Sequence, residues 1–277
     1  MPVWLITGCS TGFGRELARE VLGRGWNAAV TARDPTAVAD IVAGYGSQAV
    51  SLPLDVTESA QIADAIRETE ARFGAIDVLV NNAGYGFRGA VEEADEADFR
   101  HLFETNFFGL AAMTRAVLPG MRERGRGAIV NISSVGGRMA QPGSGYYSAS
   151  KFAVEGLSDA LRKEVGPLGI HVMVVEPGGF RTDFAGRSLR QSRRTIEAYA
   201  PTAGLRRKEN ITTHGRQPGD PVRAAKAIIS ALQSDPPPFR LVLGRSAVQR
   251  IRAEMDGQQR EIDTWEETSN GADYPEP

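Results

Sequence analysis

The sequence predicts an α/β protein built on a doubly wound parallel sheet, and three features carry that expectation. Apolar runs such as Val3-Trp4-Leu5-Ile6 and Ala128-Ile129-Val130-Asn131-Ile132 lack polar alternation, so they read as strands buried on both faces. Stretches of helical period separate these runs, which is the order of βαβ units. The first run leads straight into Gly8-Cys9-Ser10-Thr11-Gly12-Phe13-Gly14 and then a helical pattern through Leu17, Ala18, Val21 and Leu22. With 277 residues, 42% hydrophobic and 24% charged, the chain can bury a sizeable core as one α/β domain or two small ones.

Taken in order, the first strand is Val3–Ile6 and the second covers residues 28–32, after which Pro35 is placed to start a helix. The third strand, 49–54, stops at Asp55-Val56-Thr57-Glu58, where Thr57 is the expected N-cap of a helix running to about Phe73. A fourth strand, 77–80, is closed by Asn81-Asn82-Ala83-Gly84. One long helix is expected over 95–124, carrying Asn106 between Phe103 and Phe107. The strand ending at Ile132 follows, then a glycine-rich link and a helix bearing Tyr147. A sixth strand, 171–176, ends at Pro177-Gly178. A helix beginning near Asp220 and a last strand at 239–243 complete about seven strands.

Two segments depart from this rhythm. Residues 180–217 show no strand pattern and carry nine basic residues against three acids. They are expected to form a lid over the sheet's carboxyl edge, their charge being either a solvated surface or an attraction for an anion. Beyond 244, Val248, Ile251, Met255, Gln258, Ile262 and Trp265 recur at helical spacing, so 245–277 is expected to be an amphipathic helix with an acidic, finally disordered tail. The division is thus a catalytic domain over 1–244 and an appended helix.

Composition excludes several classes. A net charge of −2 gives no field drawing the chain to nucleic acid or an anionic membrane. No apolar run approaches the roughly 20 residues of a membrane span. The N-terminus reads as a strand rather than a signal peptide. The single cysteine, Cys9, forms no internal disulfide and suits a reducing compartment, so a cytoplasmic protein is expected. No metal site is picked out.

The chemistry lies in three places. Strand, glycine loop and helix are the order of a dinucleotide site, where the helix N-terminus meets a pyrophosphate. Tyr147 and Lys151 stand four apart and share a helix face. An ammonium there stabilises a phenolate and brings a phenol pKa of about 10 toward working pH. Ser134 ends a buried strand, at the edge where open α/β sheets place ligands.

Thr7-Gly8-x-x-x-Gly12-x-Gly14, Asn81-Asn82-Ala83-Gly84, Asn106, Ser134, Tyr147-x-x-x-Lys151 and Pro177-Gly178 stand in one order at workable spacings. In these motifs the chain resembles the short-chain dehydrogenase/reductase family, single-domain branch. The resemblance implies a Rossmann-like seven-stranded sheet and NAD(P)(H)-dependent interconversion of carbonyls and alcohols on a small-molecule substrate. It further implies that Tyr147 is the acid or base and that Lys151 lowers its pKa and binds the nicotinamide ribose. Ser134 would stabilise the substrate oxygen, and Asn106 would hold a relay water. Gly8, Ser10, Thr11, Gly12, Phe13 and Gly14 would wrap the pyrophosphate and adenosine ribose, and Asp55 and Val56 would meet the adenine. Asn82, Ala83 and Gly84 would lie on the adenosine side, with Pro177, Gly178, Phe180 and Thr182 at the nicotinamide.

At the end of the second strand, Ala32 is neutral and Arg33 follows, a pairing that favours a 2′-phosphate and hence NADP(H) over NAD(H). A register one residue longer would put Asp34 there and reverse the preference. A catalytically inactive NADP(H)-binding regulator is the alternative function, although Ser134, Tyr147 and Lys151 are all present. A nucleotide-sugar epimerase or dehydratase would need another glycine spacing and a larger C-terminal domain. Ala149, Ala153, Gly156 and Ala160 form a small-residue stripe that permits close helix approach, by a second subunit in a homodimer or homotetramer or by an internal neighbour.

Overall fold

The structure is a computed structural model that describes residues 1–213 and 215–274. Its strands and helices run β1 Val3–Ile6, α1 Gly12–Gly23, β2 Asn27–Ala32, α2 Ala39–Val42, β3 Ala49–Pro53, α3 Ser59–Phe73 and β4 Val78–Asn81. They continue β5 Gly86–Arg88, α4 Glu96–Phe103, α5 Gly109–Arg124, β6 Gly127–Ile132, α6 Gly145–Val165, β7 Ile170–Pro177 and β8 Leu189–Gln191. The chain closes with α7 Leu205–Thr213, α8 Pro221–Leu232, β9 Arg240–Leu243 and α9 Arg245–Asn270.

Seven strands form one sheet in the order β3-β2-β1-β4-β6-β7-β9, every pair parallel. This is the doubly wound Rossmann-like arrangement. Successive side chains of a strand point to opposite faces, and β1 shows why both must be apolar. Trp4 and Ile6 join the cluster under α1 and α8 with Leu17, Val21, Ile228 and Ile229. Leu5 joins the other cluster, under α3, α5 and α6, with Ile62, Met113, Val117 and Leu161. Two layers of helix therefore cover one sheet.

Four local expectations are corrected. Thr57 does not cap α3; its N–H and hydroxyl both donate to Asp55 Oδ1, at 3.0 and 2.8 Å, and Glu58 takes the N-cap position. The Asx turn captured the threonine first. Pro35 opens only a one-turn 3₁₀ segment, capped by Asp34 through Thr36 N–H at 2.9 Å. The long helix over 95–124 is interrupted by a π turn, Glu104–Phe108, between α4 and α5. Finally, the 180–217 segment does contain a strand, since β8 pairs in parallel with β5, Phe87 opposite Arg190.

α9 leaves the sheet directly after β9. Ala247 and Ile251 pack on Val135 and Val242, whereas Met255, Ile262 and Trp265 are exposed. The expected disordered terminus falls on residues 275–277, outside the described residues. Among the described residues no helix is long and apolar enough to cross a membrane, and no cluster of three metal-ligating side chains occurs.

Candidate active site

In the parallel sheet, chain direction reverses its spatial order between β1 and β4, and the loops that follow these strands open a crevice at the carboxyl edge. The loop after β1 carries Gly8 to Gly14, and that after β4 carries Asn82, Ala83 and Gly84. Ser134 follows β6, and Gly178, Phe180 and Thr182 follow β7.

Gly8 and Gly14 of the first loop are there for space, and Gly12 for its φ of +62°. Gly8 has φ +70°, and a Cβ on it would stand 2.8 Å from Ala83 Cα. A Cβ on Gly14 would collide with the Asn82 amide. Asn82 fastens the two loops, donating through Nδ2 to the carbonyls of Thr7 and Gly8, each at 2.9 Å. Ala83 N–H and Asn82 N–H both donate to Thr7 Oγ1. Thr11, the N-cap of α1, makes no side-chain cap, and no acid occupies the first turn. The uncapped amides and positive dipole end are suited to a pyrophosphate. Phe13 stacks edge-on against Phe180 at 5.0 Å, and Thr182 flanks Gly12, so the crevice has a second wall. Ser10 lies in that wall's shadow, its carbonyl accepting from Arg187 at 3.4 Å. Cys9 is buried, its thiol pushed up to about 12 by desolvation, and serves as a small core residue.

At the far end, Ala32 is buried and Arg33 exposed. Asp34 points its carboxylate at Thr36, accepting from its N–H at 2.9 Å and its hydroxyl at 2.7 Å. Arg15, from α1, reaches the Ala37 carbonyl at 3.2 Å and adds a second guanidinium beside this turn. Asp55 is held by Thr57 and Gln61. Val56 is buried, its side chain and carbonyl both packed closely against Gly109.

Ser134, Tyr147, Lys151 and Asn106 converge around the end of β6. A Cβ on Gly136 would lie 3.2 Å from Tyr147 Cε1 and 3.4 Å from Ser134 Oγ, so the serine and the phenol ring both border this glycine. Ser134 Oγ accepts from Gly136 N–H at 3.0 Å, which leaves its own proton to donate. Burial raises the Tyr147 pKa, while a hydrogen bond from Ser134 and the charge of Arg88 pull it down. Lys151 is buried, donates from Nζ to the Ile132 carbonyl at 2.8 Å, and is pushed down to about 8 by desolvation, which Glu155 opposes.

Asn106 sits in the π turn, 1% exposed. Its Oδ1 accepts from Tyr85 N–H at 3.0 Å, and its Nδ2 donates to the Tyr85 carbonyl at 3.0 Å and Ser150 Oγ at 3.2 Å. Gly84 lies between it and Lys151, since a Cβ there would be 3.0 Å from Asn106 Oδ1 and 3.7 Å from Lys151 Nζ.

One residue, Glu93, escaped the sequence reading, and another, Arg88, was read there only as part of the stretch Tyr85-Gly86-Phe87-Arg88 expected to contribute to a substrate pocket. Arg88, on β5, is buried with its Cζ 5.7 Å from the Tyr147 ring centroid. Glu93, fully enclosed, anchors the 180–217 segment. It accepts from Arg207 at 2.7 and 3.0 Å, from Ile196 N–H at 2.9 Å and from Ala90 N–H at 2.7 Å. The only sequence signal was an acid facing a basic segment over a hundred residues away.

Residues 2–193 match the family model described as "short chain dehydrogenase". The chain is 36% identical over 268 residues to an oxidoreductase, BOA17, of Botryotinia fuckeliana, covering 96% of this chain and 97% of that one. It is 41% identical over 241 residues to a 3-ketodihydrosphingosine reductase of Bacteroides thetaiotaomicron, 87% of each chain. A crystal structure of a short-chain dehydrogenase from Streptomyces avermitilis superposes with a TM-score of 0.92 at 44% identity, covering 99% of this chain and 100% of that one. Structures of the same fold hold NAD in a Burkholderia phymatum protein (TM-score 0.83, 23% identity, 94% and 95% covered) and NADP in a Burkholderia cenocepacia protein (0.73, 25%, 95% and 96%). Glycine cradle, tyrosine and lysine on one helix face, and matches over nearly the whole chain agree: this protein is an oxidoreductase of the short-chain dehydrogenase/reductase family.

Proposed function

We propose that this protein is an NADP(H)-dependent oxidoreductase that interconverts a carbonyl and a primary or secondary alcohol, with Ser134, Tyr147, Lys151 and Asn106 as its catalytic group. The observation that carries the reading is that Ser134 and Tyr147 both border Gly136, beside a glycine loop packed so closely on Ala83 and Asn82 that a Cβ on Gly8 or Gly14 would clash. When bound at that loop, the dinucleotide supplies the hydride. Tyr147 gives its phenolic proton to the substrate oxygen in reduction and takes it back in oxidation. Ser134, its acceptor side used by Gly136, donates a hydrogen bond to the same oxygen as negative charge develops. Lys151 keeps a positive charge near the phenolate. Asn106 holds the π turn against Tyr85 and Ser150 and keeps an Oδ1 lone pair for a water on the path to Lys151.

The preference for NADP(H) is supported by exposed Arg33 beside a turn whose acids are already engaged, Asp34 by Thr36 and Asp40 by Arg15 and Arg19. A homodimer or homotetramer is supported by the α6 stripe. Ala149, Gly156 and Ala160 are exposed, nothing lies within 4 Å of a Cβ on Gly156, and Phe108 and Phe152 are exposed as well. Among the described residues nothing covers Ala149, Gly156 or Ala160, and Ala153 is half-buried.

The test is NADPH oxidation on a panel of ketones and aldehydes by wild type and Tyr147→Phe. Turnover by wild type, and its loss by about 10²-fold or more in a variant that still binds NADPH, is expected. Binding without turnover in both would favour the regulatory alternative.

A further inference from the structure

Arg88 is the one buried arginine among the described residues, 6% exposed, and it stands against the Tyr147 ring. Three less buried guanidiniums have carboxylates. Arg207 meets Glu93 at 2.7 Å, Arg138 meets Glu176 at 3.1 Å, and Arg240 meets Glu155 and Glu176 at 3.2 Å. Arg88 has no carboxylate within ion-pair distance among the described residues. Its Nη1 donates to the Phe87 carbonyl at 3.0 Å, its Nε has no hydrogen-bond partner, and its Nη2 makes none to a described residue.

A buried, uncompensated cation is costly unless something completes it. Desolvation and the charge of Arg206 pull the Arg88 pKa down to about 10, and Tyr147 and Glu209 offset them only in part. The unpaired atoms, Nε and Nη2, form one edge of the planar guanidinium, the edge that takes a carboxylate through two parallel hydrogen bonds. Phe184 lies 5.6 Å from the Tyr147 ring and Arg88 lies 5.7 Å from it, so an aromatic wall and a cation border the same phenol.

We propose that Arg88 is the specificity-determining residue of the substrate pocket, and that the substrate is an oxo acid, or the corresponding hydroxy acid, whose carboxylate pairs with its free edge. This rests on the oxidoreductase reading above. Because Arg88 touches the ring whose hydroxyl serves the reacting oxygen, carboxylate and carbonyl are separated by only a few carbon–carbon bonds. The remainder of the molecule is apolar or aromatic, matching Phe184, Tyr85 and Leu189.

The experiment compares aryl oxo acids of graded spacer length with their methyl esters, using wild type, Arg88→Gln and Arg88→Lys with saturating NADPH. Wild type is expected to favour the acid in kcat/KM, chiefly through KM. Losing a charge-assisted pair is worth about 1.5–3 kcal/mol, so the acid-to-ester ratio should drop about 10- to 150-fold in Arg88→Gln. Arg88→Lys, which keeps the charge but not the paired edge, should fall between and serves if the glutamine variant does not fold. An ester preference in wild type overturns the proposal. An unchanged ratio, with both substrates slowed together and the pH profile moved, also overturns it and assigns Arg88 to tuning Tyr147. Calorimetric binding of the same acids to the NADPH complex is independent of turnover. If wild type turns over nothing, the oxidoreductase reading fails, and Arg88 is judged by whether acid binding exceeds ester binding and is lost in Arg88→Gln.

Discussion

The Lys151 ammonium donates to the Ile132 carbonyl at 2.8 Å, one strand residue before the Ser133-Ser134 pair, so the lysine is fastened to the strand that presents the serine. That bond holds a buried charge in place at a cost that shows in its pKa, about 8. Below that value the ammonium is intact; above it the proton leaves and the support for the phenolate goes with it. In the carbonyl-reducing direction kcat/KM, which reports free-enzyme groups, should be level at lower pH and fall through one proton above a pH of about 8. Initial rates across the neutral and alkaline range check this; a profile still flat well above that value contradicts it.

Asn106→Ala should destabilise the π turn. The substitution strips partners from both Tyr85 N–H and its carbonyl. A buried polar group left unpaired costs about 1–3 kcal/mol. Urea unfolding should show a loss of that size, with a larger fall in kcat than in NADPH affinity.

Arg33→Ala should weaken NADPH by about 10- to 150-fold, the worth of a charge-assisted contact of about 1.5–3 kcal/mol, and leave NADH nearly unchanged. The measurement is kcat/KM for both cofactors with one carbonyl. Equal losses for both, or a wild-type preference for NADH, would show that Arg33 does not read a phosphate. A residual preference in the variant points to Arg15, which stands by the same turn.

Glu93→Ala should unlatch the 180–217 segment. The carboxylate is held down at about 2, first by its hydrogen bonds from Arg207. Its folded pKa lies below its unfolded value of 4.5, so its stabilisation is complete above the unfolded value and is lost as pH falls through about 2. Breaking a buried pair costs about 3–5 kcal/mol. Limited proteolysis should therefore cut the variant within 180–217 at neutral pH, and the wild type there only in strong acid.

Phe152→Glu should give a smaller species by light scattering at micromolar concentration. Phe152 is 46% exposed and lies beside the uncovered small residues of α6. A charge brought against its own copy is repelled and desolvated. An unchanged mass would place the subunit contact elsewhere, and the exposed face of α9 with Met255, Ile262 and Trp265 is then the surface to alter.

What the sequence determined by itself is what local periodicity encodes. A strand buried on both faces is apolar at most positions without alternation, so β1, β4, β6 and β7 announced themselves, and the glycine loop and the one-turn spacing of Tyr147 and Lys151 came with them. The π turn at Glu104–Phe108 was invisible because one extra residue in a turn scarcely disturbs a helical pattern, and its reason is the pairing of Asn106 with Tyr85. β8 has three residues and no apolar alternation, and exists because β5 offers it an edge. Thr57 has a cap's chemistry, but the competing Asp55 carboxylate decided its place. Tertiary structure alone brought Glu93 to Arg207 and enclosed Arg88 beside Tyr147. Charge pairing and burial between residues so far apart depend on where the folded chain returns, and no window of sequence contains that distance.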